Sequence, residues 1–269
     1  MFPYIPHPTL DLGFYEIQAF SVLVVLAVIV QFQIVIRRAP SRGIDRATAS
    51  SLVGWAIGLG LVVAHVFDVV VYTPEKLAQD PLVLLKVWDS LSSFGGMLGG
   101  LLGIYLVMQR RNLSGAQMLR FFDVLIFALP FTLAVGRLGC ALQHDHPGVS
   151  SDHWLAVQFP DGPRFDLGLL EFLYCSLVAG LFAWLGRKPR ADGFYIGLFF
   201  ALYGPVRFAM DALRISEIRY AGWTPGQYLS IFAMLCGVAV FGWVISRGGA
   251  SAASPGEPVS APGEGHSSG

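Results

Sequence analysis

The chain has 269 residues, of which 54% are hydrophobic and only 13% are charged. Globular proteins average about a quarter charged residues, so this chain has too few polar side chains to cover a soluble domain of its length, and the excess apolar surface must face lipid. The 18 basic residues balance the 18 acidic ones, which excludes the basic excess that is typical of nucleic-acid-binding proteins.

Apolar stretches of about 18 to 22 residues recur along the chain and predict about seven transmembrane helices, hence an all-α, polytopic integral membrane protein. They lie near residues 17–36, 52–72, 94–108, 121–142, 168–186, 194–213 and 228–246. No basic residue precedes the first stretch, so we expect no cleavable signal peptide. In the third stretch, the spacing of Gly95, Gly99 and Gly103 predicts close packing against another helix.

Basic residues mark one side of the membrane, because they follow the first, third, fifth and seventh stretches. They are Arg37, Arg38, Arg42, Arg46, Arg110, Arg111, Arg120, Arg187, Lys188, Arg190 and Arg247. Since Lys and Arg are retained on the cytoplasmic side, we expect the N-terminus outside and the C-terminus inside. The loops near 73–93, 143–167 and 214–227 then face the exterior or the periplasm. Residues 1–247 form the expected membrane domain, and the Gly-, Ser- and Pro-rich residues 248–269 are an expected disordered cytoplasmic tail.

With this orientation, ionisable side chains inside the predicted helices gather in the outer leaflet. They are His65, Asp68, Arg137, Glu171, Arg207 and Asp211, with Tyr72, Tyr203 and Arg214 on the same helix edges. A charge in the bilayer costs about 2.5–3.5 kcal/mol, so each is a functional candidate. One alternative is that ion pairs merely hold helices together. The other is that Arg137, Arg207 and Arg214 bind the phosphate diester of an anionic phospholipid through their planar guanidinium groups.

Other polar residues receive simpler interpretations. Asp123 lies at the inner end of the fourth helix, away from the outer group, and is expected to cap the helix or to reach the membrane surface. The cysteines Cys140, Cys175 and Cys236 are far apart and odd in number, so they indicate neither a disulfide framework nor a metal-binding spacing. Each is expected to be a small buried side chain.

Four segments resemble the prolipoprotein diacylglyceryl transferase family. They read DPLVLLKVWDSLSSFGGMLGG, VGRLGCALQHDHPG, YGPVRFAMDALR and GWTPGQYLSI. Their order, spacing and membrane depth fit that family. The resemblance implies a bacterial inner-membrane enzyme, without a cofactor, that moves the diacylglyceryl group of phosphatidylglycerol to the thiol of a lipobox cysteine in an exported prolipoprotein. Glycerol phosphate would be the leaving group.

The same resemblance implies roles for residues of the outer group. Arg137 and Arg207 would hold the phosphate, because a departing phosphate needs cations to stabilise its charge, and Asp211 would take part in catalysis. The remaining positions expected to bind phosphatidylglycerol are Tyr203, Arg214, His65, Gly95 and Gly96.

The chain departs from the family pattern at several polar positions. The usual His-Gly-Gly begins with Phe94, and Cys140 replaces an asparagine. Asp145 and Asp211 each stand in place of a glutamate, and His65 stands where the family often has arginine. A second interpretation is therefore a paralogue that binds phospholipid without this activity or uses a different acceptor. A transporter is disfavoured, because the sequence shows no inverted repeat.

The loss of the family's histidine leaves open which residue accepts the proton of the acceptor thiol. A thiol of ordinary pKa, near 8.5, is mostly protonated at neutral pH, so transfer needs a base. We favour the segment His144-Asp145-His146, because it follows Arg137 closely and histidine titrates near neutrality. His65 is the reserve candidate, and Asp145 and Asp211 are carboxylate alternatives. No metal site is predicted, since this short segment has no third, distant ligand.

Overall fold

The computed structural model describes residues 1–11, 13, 16–86, 90–215 and 219–246 and confirms the all-α architecture. Its helices are α1 Ala19–Arg38, α2 Arg46–Phe67, α3 Pro74–Gln79, α4 Ser93–Arg110, α5 Gly115–Gln143, α6 Leu167–Leu185, α7 Phe194–Ala212 and α8 Pro225–Ser246. A π-helical turn, Asp68–Tyr72, extends α2, and 3-10 turns occupy Ala39–Arg42 and Pro81–Leu85. The expected tail, residues 248–269, lies outside the described residues.

Five of the described helices are long and apolar enough to cross a membrane, so the protein is a multi-pass membrane protein. These spans are Ala19–Arg42, Arg46–Tyr72, Gly115–Gln143, Leu167–Leu185 and Pro225–Ser246. The helices α4 and α7 lie where two further spans were predicted, but they are less apolar. Glycines dilute the hydropathy of α4, and Arg207 and Asp211 lower that of α7. The count of seven spans therefore stays a prediction.

Glycines set the close packing of α2 against α4. A Cβ atom on Gly99 would lie 2.3 Å from the Leu59 carbonyl oxygen, and one on Gly103 would lie 2.3 Å from the Trp55 carbonyl oxygen. Such separations leave no room for a side chain, because non-bonded heavy atoms meet at about 3.5 Å or more. The close approach predicted from the glycine spacing is therefore confirmed. The opposite helix pair, α7 and α8, meets in the same way at Gly197 and Gly237.

Charged contacts fix the inner ends of α5 and α7, that is, the ends that the loop charges predict to be cytoplasmic. The opposite ends of the helices are the outer ends in the same predicted orientation. Asp123 on α5 accepts hydrogen bonds from the first backbone N–H groups of α7, at 2.8 Å from Tyr195 N and 3.1 Å from Ile196 N. Its second carboxylate oxygen lies 3.0 Å from Nη2 of Arg42. Unpaired N–H groups at a helix N-terminus attract a carboxylate. Asp123 thus caps α7 from a neighbouring helix, instead of capping its own.

Short strands before α1 and between α5 and α6 form a small layer outside the helices, which the apolar stretches did not predict. The strands are β1 Phe2–Pro3, β2 Thr9–Asp11, β3 Glu16–Gln18, β4 Pro147–Ser150, β5 Val157–Phe159 and β6 Gly162–Asp166. One sheet has the order β1-β5-β6-β4, and β2 pairs with β3. Backbone hydrogen bonds from Val149 to Leu213 and from Leu167 to His146, each 3.0 Å, join this layer to α7 and α6.

Candidate functional site

Glu171, in the first turns of α6, lies at the centre of a charged cluster at the outer helix ends. One of its carboxylate oxygens, Oε2, lies 3.0 Å from Nε of Arg137 on α5 and 3.4 Å from Nη1 of Arg207 on α7. The other, Oε1, accepts a hydrogen bond from the hydroxyl group of Tyr203. Asp166 caps α6 by accepting a hydrogen bond from Leu169 N at 3.0 Å. This cap fixes where α6 begins and therefore where Glu171 lies relative to the two arginines.

Asp211 continues the cluster towards the exterior. Its Oδ1 atom lies 3.3 Å from Nη2 of Arg207 and 3.1 Å from Nε of Arg214. Its Oδ2 atom accepts a hydrogen bond from the Thr224 hydroxyl, just before α8. A Cβ atom on Gly226 would lie 2.6 Å from the same oxygen, so only glycine leaves room for the carboxylate. The order along the cluster is Arg137 on α5, Glu171 on α6, Arg207 and Asp211 on α7, and Arg214 just after α7. Arginines and carboxylates therefore alternate.

The cluster has a net positive charge and an accessible cationic face. Three guanidinium groups less two carboxylates leave one positive charge. The side chains of Glu171 and Asp211 are only 2% exposed, whereas those of Arg137 and Arg207 are 21% exposed. The two carboxylates are thus buried, whereas the guanidinium side chains that they hold are partly exposed. Phosphate, like carboxylate, is an anion that such planar donor groups bind through paired hydrogen bonds.

Cys140, Asp145 and His146 adjoin this cluster on the side of α5. Nη1 of Arg137 lies 3.7 Å from Sγ of Cys140, one helical turn away. Nε2 of His146 lies 3.7 Å from Oδ1 of Asp145. Burial lowers the pKa of His146, and the nearby charges of Asp145 and Arg137 act on it in opposite directions. His146 is therefore the histidine of the predicted segment that lies beside the arginines.

The contacts of His144 differ from those expected of a base that lies beside the arginine cluster. It ends α5 in the left-handed conformation, with φ 51°, which turns its ring away from the arginine cluster. Its Nδ1 atom lies 2.6 Å from Oδ2 of Asp166, and its Nε2 atom lies 3.1 Å from the Ile5 carbonyl oxygen. Both ring nitrogens therefore face oxygen acceptors, and the ring also stacks on Tyr4.

His65 and the glycines of α4 also make contacts of their own. His65 is buried, with Nδ1 3.1 Å from the Ser90 carbonyl oxygen and Nε2 2.9 Å from that of Val83. A Cβ atom on Gly95 would lie 2.6 Å from Cβ of Phe67, so Gly95 packs against α2. Gly96 lines an apolar groove. The other residues of this groove are Val28, Ala56, Ile57, Gly60, Leu61, Ala64, Leu91 and Ser92.

Phe94 occupies the position at which the family resemblance led us to look for a histidine. Its ring is half exposed and packs 5.4 Å from the ring of Phe67, centroid to centroid. A phenyl ring has no group that accepts a proton, so this position cannot supply a base.

The sequence pattern did not single out Thr224 and Gly226 as site residues. Both belong to the segment GWTPGQYLSI, which resembles the family but in which the sequence indicated no individual site residue. The glycine at position 226, two residues after Thr224, is only a weak sequence signal that another group approaches the backbone closely there. Cys140 was likewise expected only to be a small buried side chain.

A cationic cluster at the outer ends of apolar helices, backed by buried carboxylates, is the arrangement expected of a polytopic membrane enzyme that acts on phosphorylated lipids. The family description of the prolipoprotein diacylglyceryl transferases matches residues 8–243. The chain belongs to this family.

Relatives with the name phosphatidylglycerol–prolipoprotein diacylglyceryl transferase are similar over most of the chain. The Vibrio vulnificus protein is 31% identical over 261 residues, which are 91% of this chain and 95% of the relative. The Chromohalobacter salexigens protein is 29% identical over 253 residues, 90% of this chain and 93% of the relative. The Actinobacillus pleuropneumoniae protein is 32% identical over 206 residues, 72% and 74% of the two chains.

Proposed function

We propose that this protein transfers the diacylglyceryl group of phosphatidylglycerol to the lipobox cysteine of exported prolipoproteins. The product is a thioether, and glycerol phosphate leaves. The observation that carries the proposal is the pair Arg137 and Arg207, which share Glu171 and are partly exposed at the outer helix ends. The names of the relatives supply the two substrates.

The arginines act on the leaving group. When the bond between the glyceryl carbon and the phosphate oxygen breaks, negative charge grows on that oxygen. Arg137 and Arg207 bind the phosphate and stabilise this charge, since preorganised donors in a site of low dielectric need no reorganisation during the reaction. Glu171 keeps both guanidinium groups in place, and Tyr203 holds Glu171 through its second oxygen. Arg207 must therefore form directional pairs, which a lysine cannot reproduce.

Asp211 and Arg214 support the same phosphate site. Asp211 fixes Arg207 and Arg214 from the side of α8, with Thr224 as its hydroxyl donor. Because Asp211 is buried, its catalytic contribution comes through the orientation of these two arginines. Arg214 adds positive charge at the outer rim, where the head group of the lipid enters.

We propose that Asp145 and His146 activate the acceptor thiol. Of the segment His144-Asp145-His146, these two residues lie beside Arg137, and so beside the bound phosphate. His144 supports them by fixing the end of α5 to Asp166. His65 remains the reserve candidate, although the contacts described for it are with the 83–90 segment.

The acyl chains of phosphatidylglycerol need an apolar surface. The groove that contains Gly96 offers one, and Gly95 contributes to it by permitting close contact of α4 with α2. His65 lies next to Ala64, a residue of this groove. We therefore propose that Gly95, Gly96 and His65 contribute to phosphatidylglycerol binding, because they line this groove or lie next to it.

The proposed location is the bacterial inner membrane, with the N-terminus and the charged cluster on the periplasmic side. The distribution of Lys and Arg supports this orientation. In this orientation, residues 1–247 form the membrane domain and residues 248–269 form a cytoplasmic tail. It also brings the site to the face at which an exported precursor arrives.

The alternative is a paralogue that binds phospholipid but does not perform this transfer or uses another acceptor, and Phe94 is the observation that favours it. A direct test uses purified protein, vesicles containing phosphatidylglycerol and a synthetic lipobox peptide. We expect the peptide mass to rise by one diacylglyceryl group, and a peptide with serine in place of the cysteine to remain unmodified. Bound phosphatidylglycerol without any peptide modification would support the alternative. Growth of cells depleted of their own transferase, when this gene is supplied, is the complementary assay.

A further inference from the structure

Three side chains of different chemistry meet beside the arginine cluster. Sγ of Cys140, one carboxylate oxygen of Asp145 and one ring nitrogen of His146 all lie within 4.8 Å of one another. Cys140 begins the last turn of α5, which ends at Gln143, and Asp145 and His146 follow the C-cap residue His144. The backbone hydrogen bond from Leu167 N to the His146 carbonyl oxygen, 3.0 Å, fixes the loop that carries them.

This donor set matches the chemistry of a zinc ion. Cysteine thiolate, imidazole nitrogen and carboxylate oxygen are the three protein ligands that Zn²⁺ uses, at about 2.0–2.3 Å each. Tetrahedral geometry then separates ligand atoms by about 3.4–3.6 Å. Nε2 of His146 and Oδ1 of Asp145 are already 3.7 Å apart. The sulfur of Cys140 lies within 4.8 Å of both atoms.

The charges around the three side chains also suit a divalent cation. One thiolate and one carboxylate balance the two positive charges of zinc. Nη1 of Arg137 lies 3.7 Å from the cysteine sulfur, so a fixed positive charge adjoins the proposed site. Glu171 holds Arg137 from its other side, at 3.0 Å, and so screens its charge.

We propose that Cys140, Asp145 and His146 bind a zinc ion whose fourth position receives the thiol of the acceptor cysteine. The inference rests on the proposed function and states how the thiol is activated in a chain with phenylalanine at position 94. Catalytic zinc sites hold three protein ligands and keep the fourth position open. A metal-bound thiol loses its proton at neutral pH, so the Asp145–His146 pair acts here as ligands and not as a proton acceptor.

The step balances without a further reactant. The thiol binds zinc as a thiolate, and its proton passes to water at the outer surface. The sulfur electron pair attacks the glyceryl carbon, so a carbon–sulfur bond forms. The carbon–oxygen bond breaks, and its electrons leave with glycerol phosphate, which pairs with Arg137 and Arg207. The neutral thioether is a weaker ligand than a thiolate and leaves the metal.

Metal binding can be tested apart from activity. The purified full chain in detergent is titrated with Co²⁺, which reports tetrahedral coordination by its visible bands and cysteine ligation by its near-ultraviolet charge-transfer band. We expect C140S to lose the charge-transfer band, and D145N and H146Q to weaken binding at least tenfold. The matched controls C236S, D152N and H153Q change exposed residues and should bind as the wild type does. Equal cobalt binding by H146Q and H153Q, with both proteins eluting as folded single species, would overturn the proposal.

The transfer assay separates this inference from the proposed function. A chelator should abolish thioether formation, and added Zn²⁺ should restore it in the wild type but not in H146Q. Full transfer by metal-depleted protein would overturn the zinc site and leave the proposed function intact. Tight cobalt binding that requires the three ligands, without transfer to any lipobox peptide, would support the site and overturn the function.

Discussion

His144 and Asp166 join the end of α5 to the start of α6 through a contact of 2.6 Å between Nδ1 and Oδ2, with side chains that are only 7% and 0% exposed. The same aspartate caps α6 through Leu169 N. One carboxylate thus begins a helix and holds the end of the preceding one. This junction joins the helix that carries Arg137 to the helix that carries Glu171.

We expect D166N and H144Q to destabilise the folded protein by about 1.5–3 kcal/mol, because each removes a buried hydrogen bond to a charged group. The measurement is thermal unfolding in detergent, with H153Q, an exposed histidine, as the control. Transfer by the fraction that stays folded should be close to normal. A normal melting temperature with abolished transfer and a changed pH profile would instead identify His144 as the base.

Arg137 and Arg207 should not tolerate lysine. We expect R137K and R207K each to lower kcat/KM for phosphatidylglycerol by about tenfold to a hundredfold, the loss that corresponds to one hydrogen bond between charged groups. R110K is the matched control, because Arg110 lies over the Trp55 ring, away from the cluster. If both cluster variants transferred at the rate of R110K, the phosphate assignment would be wrong.

Gly226 should be required for the position of Asp211. In G226A the added methyl group would lie 2.6 Å from Oδ2, so the carboxylate must move and release Arg207 or Arg214. We expect a loss of about tenfold in kcat/KM, equivalent to about 1.4 kcal/mol. G242A lies on the same helix, and nothing is within 4 Å of the added carbon, so it serves as control. Equal rates for the two variants would count against a role for Asp211 in orienting the arginines.

Gly99 and Gly58 offer a matched pair for the contact between α2 and α4. G99A places a methyl group 2.3 Å from the Leu59 carbonyl oxygen, whereas G58A meets nothing within 4 Å. Overpacking should cost G99A about 1–3 kcal/mol. G58A should be neutral, or more stable by about 0.5–1 kcal/mol, because alanine loses less backbone entropy in a helix. Unfolding midpoints of the two variants in the same detergent test this, and equal midpoints would contradict the packing described.

Asp45, the N-cap of α2, should make stability depend on acid pH. Hydrogen bonds from Thr48 hold the pKa of Asp45 below its ordinary value of 3.8. The folded carboxyl therefore binds a proton less readily than the unfolded one. Its stabilising contribution is present above pH 3.8 and is lost as the pH falls through the lower, folded pKa.

The variant D45N isolates this contribution, because asparagine also caps a helix but does not titrate. We expect the Tm of the wild type to fall more steeply than that of D45N below pH 3.8. Melting curves recorded in one detergent over that pH range provide the measurement. Parallel curves would show that the cap carries no pH dependence.

The helices and the arginine cluster could be predicted because both follow from one-dimensional patterns. Apolar length locates a helix, and loop charge orients it, which together bring Arg137, Glu171, Arg207 and Asp211 to one leaflet. The structure places these four in contact.

Side-chain direction at helix ends could not be predicted in the same way. The left-handed residue that ends α5 decides that His144 faces Asp166 while His146 faces the arginines, and no periodicity encodes such a turn. Cys140 gains its neighbours by the same turn. His65 contacts the carbonyl oxygens of Val83 and Ser90, and the periodicity of α2 does not encode these contacts with a later part of the chain. Gly226 is informative only once the position of the Asp211 carboxylate is known.

The capping of α7 by Asp123 has a mechanical consequence. At the inner end Asp123 ties α5 to α7, and at the outer end Glu171 ties both helices to α6. Sliding or tilting α7 would break charged contacts at both ends, so α5, α6 and α7 form a rigid frame.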